Sequence, residues 1–366
     1  MSSFIVLIEN YFVLKTNRHQ DSKQIYATHS GLHFYTLFFL LNTLIVFGQD
    51  KTEKDTANFI FYPDKIMIRA NLSTQTDAYY LNEKNGANLD LETNNNYKLF
   101  LAVDYKFIGF SYGFYPKFFG GNKDENLKGK STFSDYNFRF FLGRWLQTAQ
   151  YSKTKGYYVA NMSDFDPNWT EGKDPYLQFP DFKSTYYGMS TSYIFNPKFS
   201  LKSITSFTEW QKKSAGSFIP SLAYTYNRIT SKTDNLQGKQ DEYDIRLGAG
   251  YYYNFIIRKQ FYIAANLSPS LGVKFLKDKS TDSGVESVER NNYFTKNLDG
   301  GLKLGFNSDR ILFGASLNFS ASSYNEDKNT VISNDKVFGL LYFGYRFDAP
   351  DFIKKPIDKI STKINM

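Results

Sequence analysis

The sequence predicts an all-β chain that closes into a transmembrane, antiparallel, up-and-down β-barrel of about twelve strands, with fourteen as the alternative. Three observations carry this expectation: apolar and polar residues alternate with period two in segment after segment, many of these runs reach ten residues or more, and their connections alternate between short and long. A soluble strand averages about five or six residues, whereas a strand crossing a bilayer at a tilt takes roughly nine to eleven.

The alternation is visible residue by residue. In YKLFLAVDY, Tyr97, Leu99, Leu101, Val103 and Tyr105 share one face, opposite Lys98, Phe100, Ala102 and Asp104. In DYNFRFFLG, Tyr136, Phe138, Phe140 and Leu142 oppose Asp135, Asn137, Arg139 and Gly143. EYDIRLGAGYYYNF sets Tyr243, Ile245, Leu247, Ala249, Tyr251, Tyr253 and Phe255 against Glu242, Asp244, Arg246, Gly248, Gly250, Tyr252 and Asn254. NLDGGLKLGF sorts Leu298, Leu302, Leu304 and Phe306 away from Asn297, Asp299 and Lys303. A helix would scatter these side chains around its circumference, and a strand separates them onto two faces. VFGLLYFGYRF reads as the closing strand, with Val337, Gly339, Leu341, Phe343, Tyr345 and Phe347 toward lipid and Arg346 toward the lumen. Aromatics gather toward strand ends, as interfacial girdles do.

Composition agrees with a chain that meets two solvents. Of 366 residues, 36 are Phe and 29 Tyr, yet charged residues still make up 22% and the net charge is +8. Mean hydropathy is accordingly only -0.46. Cys is absent, which excludes disulfides, thiol nucleophiles and a lipid-bearing cysteine. The three His residues are His19, His29 and His33, all near the amino end.

Leu32 to Gly48, LHFYTLFFLLNTLIVFG, has the length and apolarity of a signal peptide, with cleavage expected after Gly48 or Gln49. Residues 1–49 are thus an extension plus signal, 50–64 a periplasmic lead-in, 65–348 the barrel and 349–366 a flexible periplasmic tail. Translation starting nearer His29 would suit the signal better, since 30 residues is too long for its charged region. Three basic and two acidic residues fall before the cleavage point, so the mature charge is +7, with no His or Cys left.

Thirteen strand starts can be counted, near Lys65, Leu89, Ile108, Phe133, Leu146, Ser184, Ser200, Ser217, Glu242, Phe261, Asn292, Ile311 and Val337. A single-chain barrel with both termini on one side needs an even number. Loop parity fails between Ser200 and Gln240, which locates the error there. Long polar loops are expected at GGNKDENLKGKST, from Asn161 to Asp181, and at SKTDNLQGKQ, DKSTDSGVESVER and YNEDKNTVISND.

The segments EGKDPYLQFPDFK (Glu171 to Lys183), EWQKKSAGSFIPSL (Glu209 to Leu222), YNEDKNTVISNDK (Tyr324 to Lys336) and YFGYRFDAP (Tyr342 to Pro350) resemble the family known as domain of unknown function 4421. That resemblance runs from about Lys65 to the carboxyl end. It implies an exported barrel of the Gram-negative outer membrane, and it supplies no catalytic or binding residues.

With the apolar set toward lipid, the lumen receives a candidate charge network: Lys98, Asp104, Asp135, Arg139, Glu242, Asp244, Arg246, Asp299, Lys303 and Arg346. Bulky Phe100, Phe141 and Tyr252 point the same way, so the interior is expected to be largely filled. The leading expectation is a structural or surface barrel, or a narrow porin-like conduit for small hydrophilic solutes. A lipid-modifying enzyme is the second class, disfavoured because a serine nucleophile needs a base and the mature chain has no His. A secreted soluble β-sandwich is the third. No catalytic residue, cofactor or metal ligand is expected. YNEDKN and DPNWTEGKD offer oxygen donors for calcium but match no EF-hand loop. The expected partners are outer-membrane lipid, lipopolysaccharide and the barrel-assembly machinery, with the chain itself monomeric. Lysines dispersed without a basic stripe argue against nucleic acid.

Overall fold

The computed structural model describes residues 57–75, 77–81, 88–119, 124–232, 236–282, 285–325 and 331–363. The expected signal peptide and early start lie outside them. The strands, in chain order, are β1 (Phe59–Phe61), β2 (Lys65–Ser73), β3 (Ala78–Leu81), β4 (Leu89–Glu92), β5 (Lys98–Tyr105), β6 (Ile108–Phe114), β7 (Thr132–Leu142) and β8 (Trp145–Val159). They continue with β9 (Gln178–Tyr193), β10 (Glu209–Gln211), β11 (Ala215–Lys232), β12 (Leu236–Ile257), β13 (Phe261–Asp282), β14 (Val285–Asn307), β15 (Ile311–Asn325) and β16 (Val331–Asp348).

Twelve of them close one antiparallel barrel, in the order β2, β5, β6, β7, β8, β9, β11, β12, β13, β14, β15, β16 and back to β2. The sheet joins itself where Phe347 faces Ile66 and Tyr345 faces Ile68. Such closure is incompatible with a two-sheet sandwich, so the third expectation falls. The remaining four strands stand outside the ring: β1 pairs with β10, and the β3–β4 hairpin joins β8 through Leu91 and Glu92.

Twelve is the expected number; the surplus strand is the one expected at Ser200, and the start expected at Leu89 opens β4 outside the ring, the barrel strand there beginning at Lys98. Residues 194–214 contain a single helical turn (Lys202–Thr205) and β10, and they do not enter the ring. Two other expectations are corrected. SKTDNLQGKQ and DKSTDSGVESVER are largely strand: β12, β13 and β14 run 22, 22 and 23 residues, far beyond what a bilayer requires. The end carrying these overhangs is here called the far end, and the end where β2 begins and β16 stops the near end. The tail expected to be flexible forms a helix, Asp351–Lys363.

Parity places the side chains as alternation demands. Leu101, Val103, Tyr136, Phe138, Leu247, Tyr251, Leu271, Leu298, Leu302, Leu304, Phe313, Leu341 and Phe343 are exposed around the outer wall, forming a continuous apolar belt. Their strand neighbours Asp104, Asp135, Tyr342 and Arg346 are buried inside. Placing a charge on this belt tests its contact with lipid. Leu302→Arg should cost about 2–4 kcal/mol in a vesicle-based unfolding titration. Val288→Arg, on the far-end overhang where β14 is exposed throughout, should stay within about 0.5 kcal/mol.

Candidate functional site

The lumen is the only region where the charged residues singled out in the sequence are brought indoors, and two chain segments enter it. At the near end the connection 194–214 folds inward as a plug. Asn196 sets its entry: its side-chain amide donates to Gly216 O at 2.7 Å, and its Oδ1 accepts from the Lys198 backbone at 3.0 Å. Ser203 is fully buried and donates to Ser200 O. Phe199, Leu201, Ile204, Phe207 and Trp210 then pack with Met67, Phe141, Ile219, Tyr262, Leu312 and Tyr342 into one core.

Barrel side chains grip the plug backbone. Lys303 Nζ donates to Ile204 O at 2.7 Å, and Arg346 donates twice to Phe207 O, from Nε at 3.1 Å and Nη2 at 2.9 Å. Asn254 Nδ2 reaches Ser203 Oγ at 3.1 Å, and Trp210 Nε1 donates outward to Lys259 O at 2.9 Å. Phe207 holds a left-handed backbone, φ 56°, which is unfavourable for a residue bearing a Cβ. The paired donors of Arg346 oppose that cost by fixing its carbonyl.

Directly beside the plug, Asp104 accepts one guanidinium on each oxygen: Arg69 Nη2 on Oδ2 at 2.8 Å and Arg139 Nη2 on Oδ1 at 2.9 Å. The register explains the meeting. Asp104 on β5 faces Gly109 on β6, and Gly109 faces Arg139 on β7. A Cβ on Gly109 would lie 2.1 Å from Asp104 Oδ1 and 3.1 Å from Arg139 Nε. The missing side chain is therefore what lets the two charges join across an intervening strand.

At the far end a strap, described at residues 74–75, 77–81 and 88–97, lies against one side of the inner wall. Its β3–β4 hairpin packs Leu89 and Leu91 against Tyr157, Val159, Phe179, Phe182 and Ile229, while Tyr79 donates to Ser184 Oγ at 2.9 Å. Asp77 fixes the other side, accepting from Lys98 Nζ at 2.6 Å, Tyr115 OH at 2.9 Å and Thr154 Oγ1 at 3.1 Å. Burial raises the Asp77 carboxyl, but Lys98, Lys336 and the hydrogen bonds from Lys98 and Tyr115 outweigh it and hold the group below the ordinary carboxylate range.

Between the plug and the strap lies a polar band. Gln150 Nε2 donates to Asp135 at 2.6 Å, Ser320 to Asp299 at 2.6 Å, and Lys274 approaches Glu242 at 3.6 Å. Asp244 and Arg246 approach at 3.7 Å.

The ten candidate residues therefore all lie on the inner wall but divide among three places. Among themselves they form two ion pairs, Asp104 with Arg139 and Asp244 with Arg246. Lys98 finds its acid on the strap, Lys303 and Arg346 spend their charge on plug carbonyls, and Asp135, Glu242 and Asp299 meet Gln150, Lys274 and Ser320. Sequence reasoning missed Arg69, Asp77 and Lys274. Arg69 could have been found: KIMIRANLS (Lys65–Ser73) alternates as cleanly as the segments that were read. In DPNWTEGKD, Asp166 and Asp174 accept the backbone N–H groups of Asn168 and Thr170, so both carboxylates cap their own loop.

Removing the central acid should be far costlier than removing a rim acid. Asp104→Asn leaves two buried guanidinium groups without a counter-charge and should cost roughly 3–5 kcal/mol in urea unfolding from vesicles. Gly109→Ala should cost about 1–3 kcal/mol by displacing the same carboxylate, and Asp181→Asn, paired with Lys155 at the exposed surface, less than about 1 kcal/mol. The Asp77 anchor is pH-dependent with a definite sign. A carboxyl depressed on folding stabilises above its unfolded pKa, about 3.9, and that stability is lost as pH falls through the folded value. Protection of the Thr93 amide, which donates to Asp77 O at 3.2 Å, should hold at neutral pH and fall below about pH 4. In Asp77→Asn it should be low at every pH, as measured by hydrogen exchange.

Among solved structures, the outer membrane protease OmpT from Escherichia coli is similar to this chain with 8% identity and a TM-score of 0.34, over 79% of this chain and 98% of that one. An outer membrane channel from Pseudomonas putida F1 is similar with 12% identity and a TM-score of 0.34, over 81% and 100%. LpxR from Salmonella typhimurium gives 10% identity and 0.32, over 76% and 99%. No curated protein matches the chain. The model of the family described as domain of unknown function (DUF4421) matches residues 53–347, from before the first barrel strand to the last aromatic of the closing one, and the chain belongs to that family.

Proposed function

We propose that this chain is a barrel of the bacterial outer membrane, monomeric and non-catalytic, whose resting form is closed to solutes and serves as a structural or surface barrel. The observation that carries this reading is the plug: residues 194–214 enter the near end and meet inward side chains around the ring, while the described part of the strap covers one side of the far end. Each is held by buried polar contacts rather than by packing alone. A conduit for small hydrophilic solutes then requires the plug to leave. With the first barrel strand starting and the last one stopping at the near end, that end is periplasmic, and the overhanging strands present exposed Lys232, Lys277 and Arg290 to the phosphates of lipopolysaccharide.

Planar-bilayer recording tests the closed state. Wild-type protein should give no channel events over repeated insertions, and a variant with residues 200–212 replaced by a short Gly-Ser turn should conduct steadily. The double variant Lys303→Met, Arg346→Met, which keeps the plug sequence but releases its two carbonyls, should show intermittent openings. Steady conductance by the wild type would overturn the closed reading.

A further inference from the structure

The helix Asp351–Lys363 is the one carboxyl-terminal feature that the barrel reading leaves without a task. It follows β16 after a two-residue link, and its position is fixed by contacts with near-end connections. Ala349 N donates to Asp64 O at 2.7 Å, Lys354 pairs with Asp64 at 2.6 Å, and Lys106 in the β5–β6 turn pairs with Asp358.

Two outward-facing residues show what the helix covers. Ile66 shares its face with Ile68, and Tyr105 shares its face with Leu101 and Val103. Those three belt neighbours are 43%, 46% and 44% exposed, yet Ile66 is 2% and Tyr105 5% exposed. The Tyr105 hydroxyl feels the charges of Asp358, Asp64 and Lys354, and Lys106 Nζ lies 5.4 Å from its ring centroid. The helix therefore lies at the near-end rim of the barrel, at the lower margin of the apolar belt.

At 3.6 residues per turn, Phe352, Pro356, Ile360, Ile353 and Ile357 fall on one arc, interrupted only by Lys363 in the last turn. Ile357 packs on the near-end core and Ile353 is half-buried. Phe352 and Ile360, on the rest of that arc, are 76% and 43% exposed. Asp351, Lys355 and Thr362 occupy the solvated side, and Lys359 flanks Phe352 at the edge of the arc. With Ile353 and Ile357 turned to the protein at the rim, Phe352 and Ile360 are left exposed beside the margin of the apolar belt.

We infer that this helix lies in the membrane interface, with Phe352 and Ile360 inserted among the acyl chains of the near-end leaflet and Lys355 and Lys359 directed at phospholipid phosphates. Such helices bury their apolar face roughly 5–10 Å into the boundary between headgroups and chains. The inference rests on the membrane-barrel reading above and goes beyond it, because it makes the tail a membrane-binding element.

Tryptophan quenching separates the two. Full-length Phe352→Trp, Lys355→Trp and Leu271→Trp are each reconstituted in phosphatidylethanolamine/phosphatidylglycerol vesicles whose acyl chains carry bromine at shallow or deep positions. The signal of wild-type protein, from Trp145, Trp169 and Trp210, is subtracted. The emission added by Phe352→Trp should be quenched by shallow bromines more than by deep ones, that of Lys355→Trp by neither, and that of the belt control Leu271→Trp by both. Quenching of Leu271→Trp with none for Phe352→Trp would overturn the helix proposal while the barrel stands. Absence of quenching for Leu271→Trp would remove the membrane reading and the helix proposal with it.

Discussion

Every feature of this molecule follows from the demand that a backbone in lipid satisfy its own N–H and C=O groups. The demand admits helices or closed barrels, and among the described residues no helix is long and apolar enough to cross a membrane. The pairing of β16 with β2 removes the last two edges of the sheet. Once the ring is shut at twelve strands, its interior is wider than inward side chains can fill, since about eight strands leave room for side chains alone. The plug and the strap occupy the difference. Their presence is a consequence of strand number as much as of any task the lumen performs.

Filling a desolvated interior with backbone raises an electrostatic problem, and the chain solves it in two ways. Around Asp104 the solution is charge against charge, with both oxygens occupied by guanidinium groups. Around the plug it is charge against dipole: Lys303 and Arg346 meet carbonyls that the irregular backbone leaves unpaired. Lys303 lies 5.8 Å from the Phe207 ring and Arg346 4.0 Å from that of Tyr62. Ring faces and carbonyl oxygens both carry negative potential. Cations thus serve where an acid would need a partner of its own.

The ring was legible because its signal is local. In Val337 to Phe347 each residue declares its face by parity alone, and the structure buries Tyr342 and Arg346 while exposing Leu341, Phe343 and Tyr345. The plug was not legible for a physical reason. Phe199, Leu201, Ile204, Phe207 and Trp210 are spaced by two or three residues, which matches neither a strand nor a helix, and they are buried on all sides by partners far along the chain. Loop parity revealed that something between Ser200 and Gln240 was not a strand, without saying what it became. The charged residues divide the same way. Alternation indicates which way Asp104 or Arg346 points, but partner choice depends on register, and no sequence pattern announces that Gly109 opens a bridge from β5 to β7. The overhangs failed differently, because polar residues such as Lys277 and Glu289 look like loop until the pairing of β13 with β14 continues past the belt.

The grip of Arg346 on Phe207 O spans 139 residues of chain and so imposes an order in time. A plug residue in the middle of the sequence cannot acquire this bond until the final strand exists and has turned its arginine inward. Asn254 and Lys303 join it from strands that are also made later. While the barrel is being built, the left-handed turn at Phe207 has none of these supports, and the lumen stays open around it. Completion of the wall and sealing of its interior are thereby one event, and a chain truncated before Arg346 would lack both.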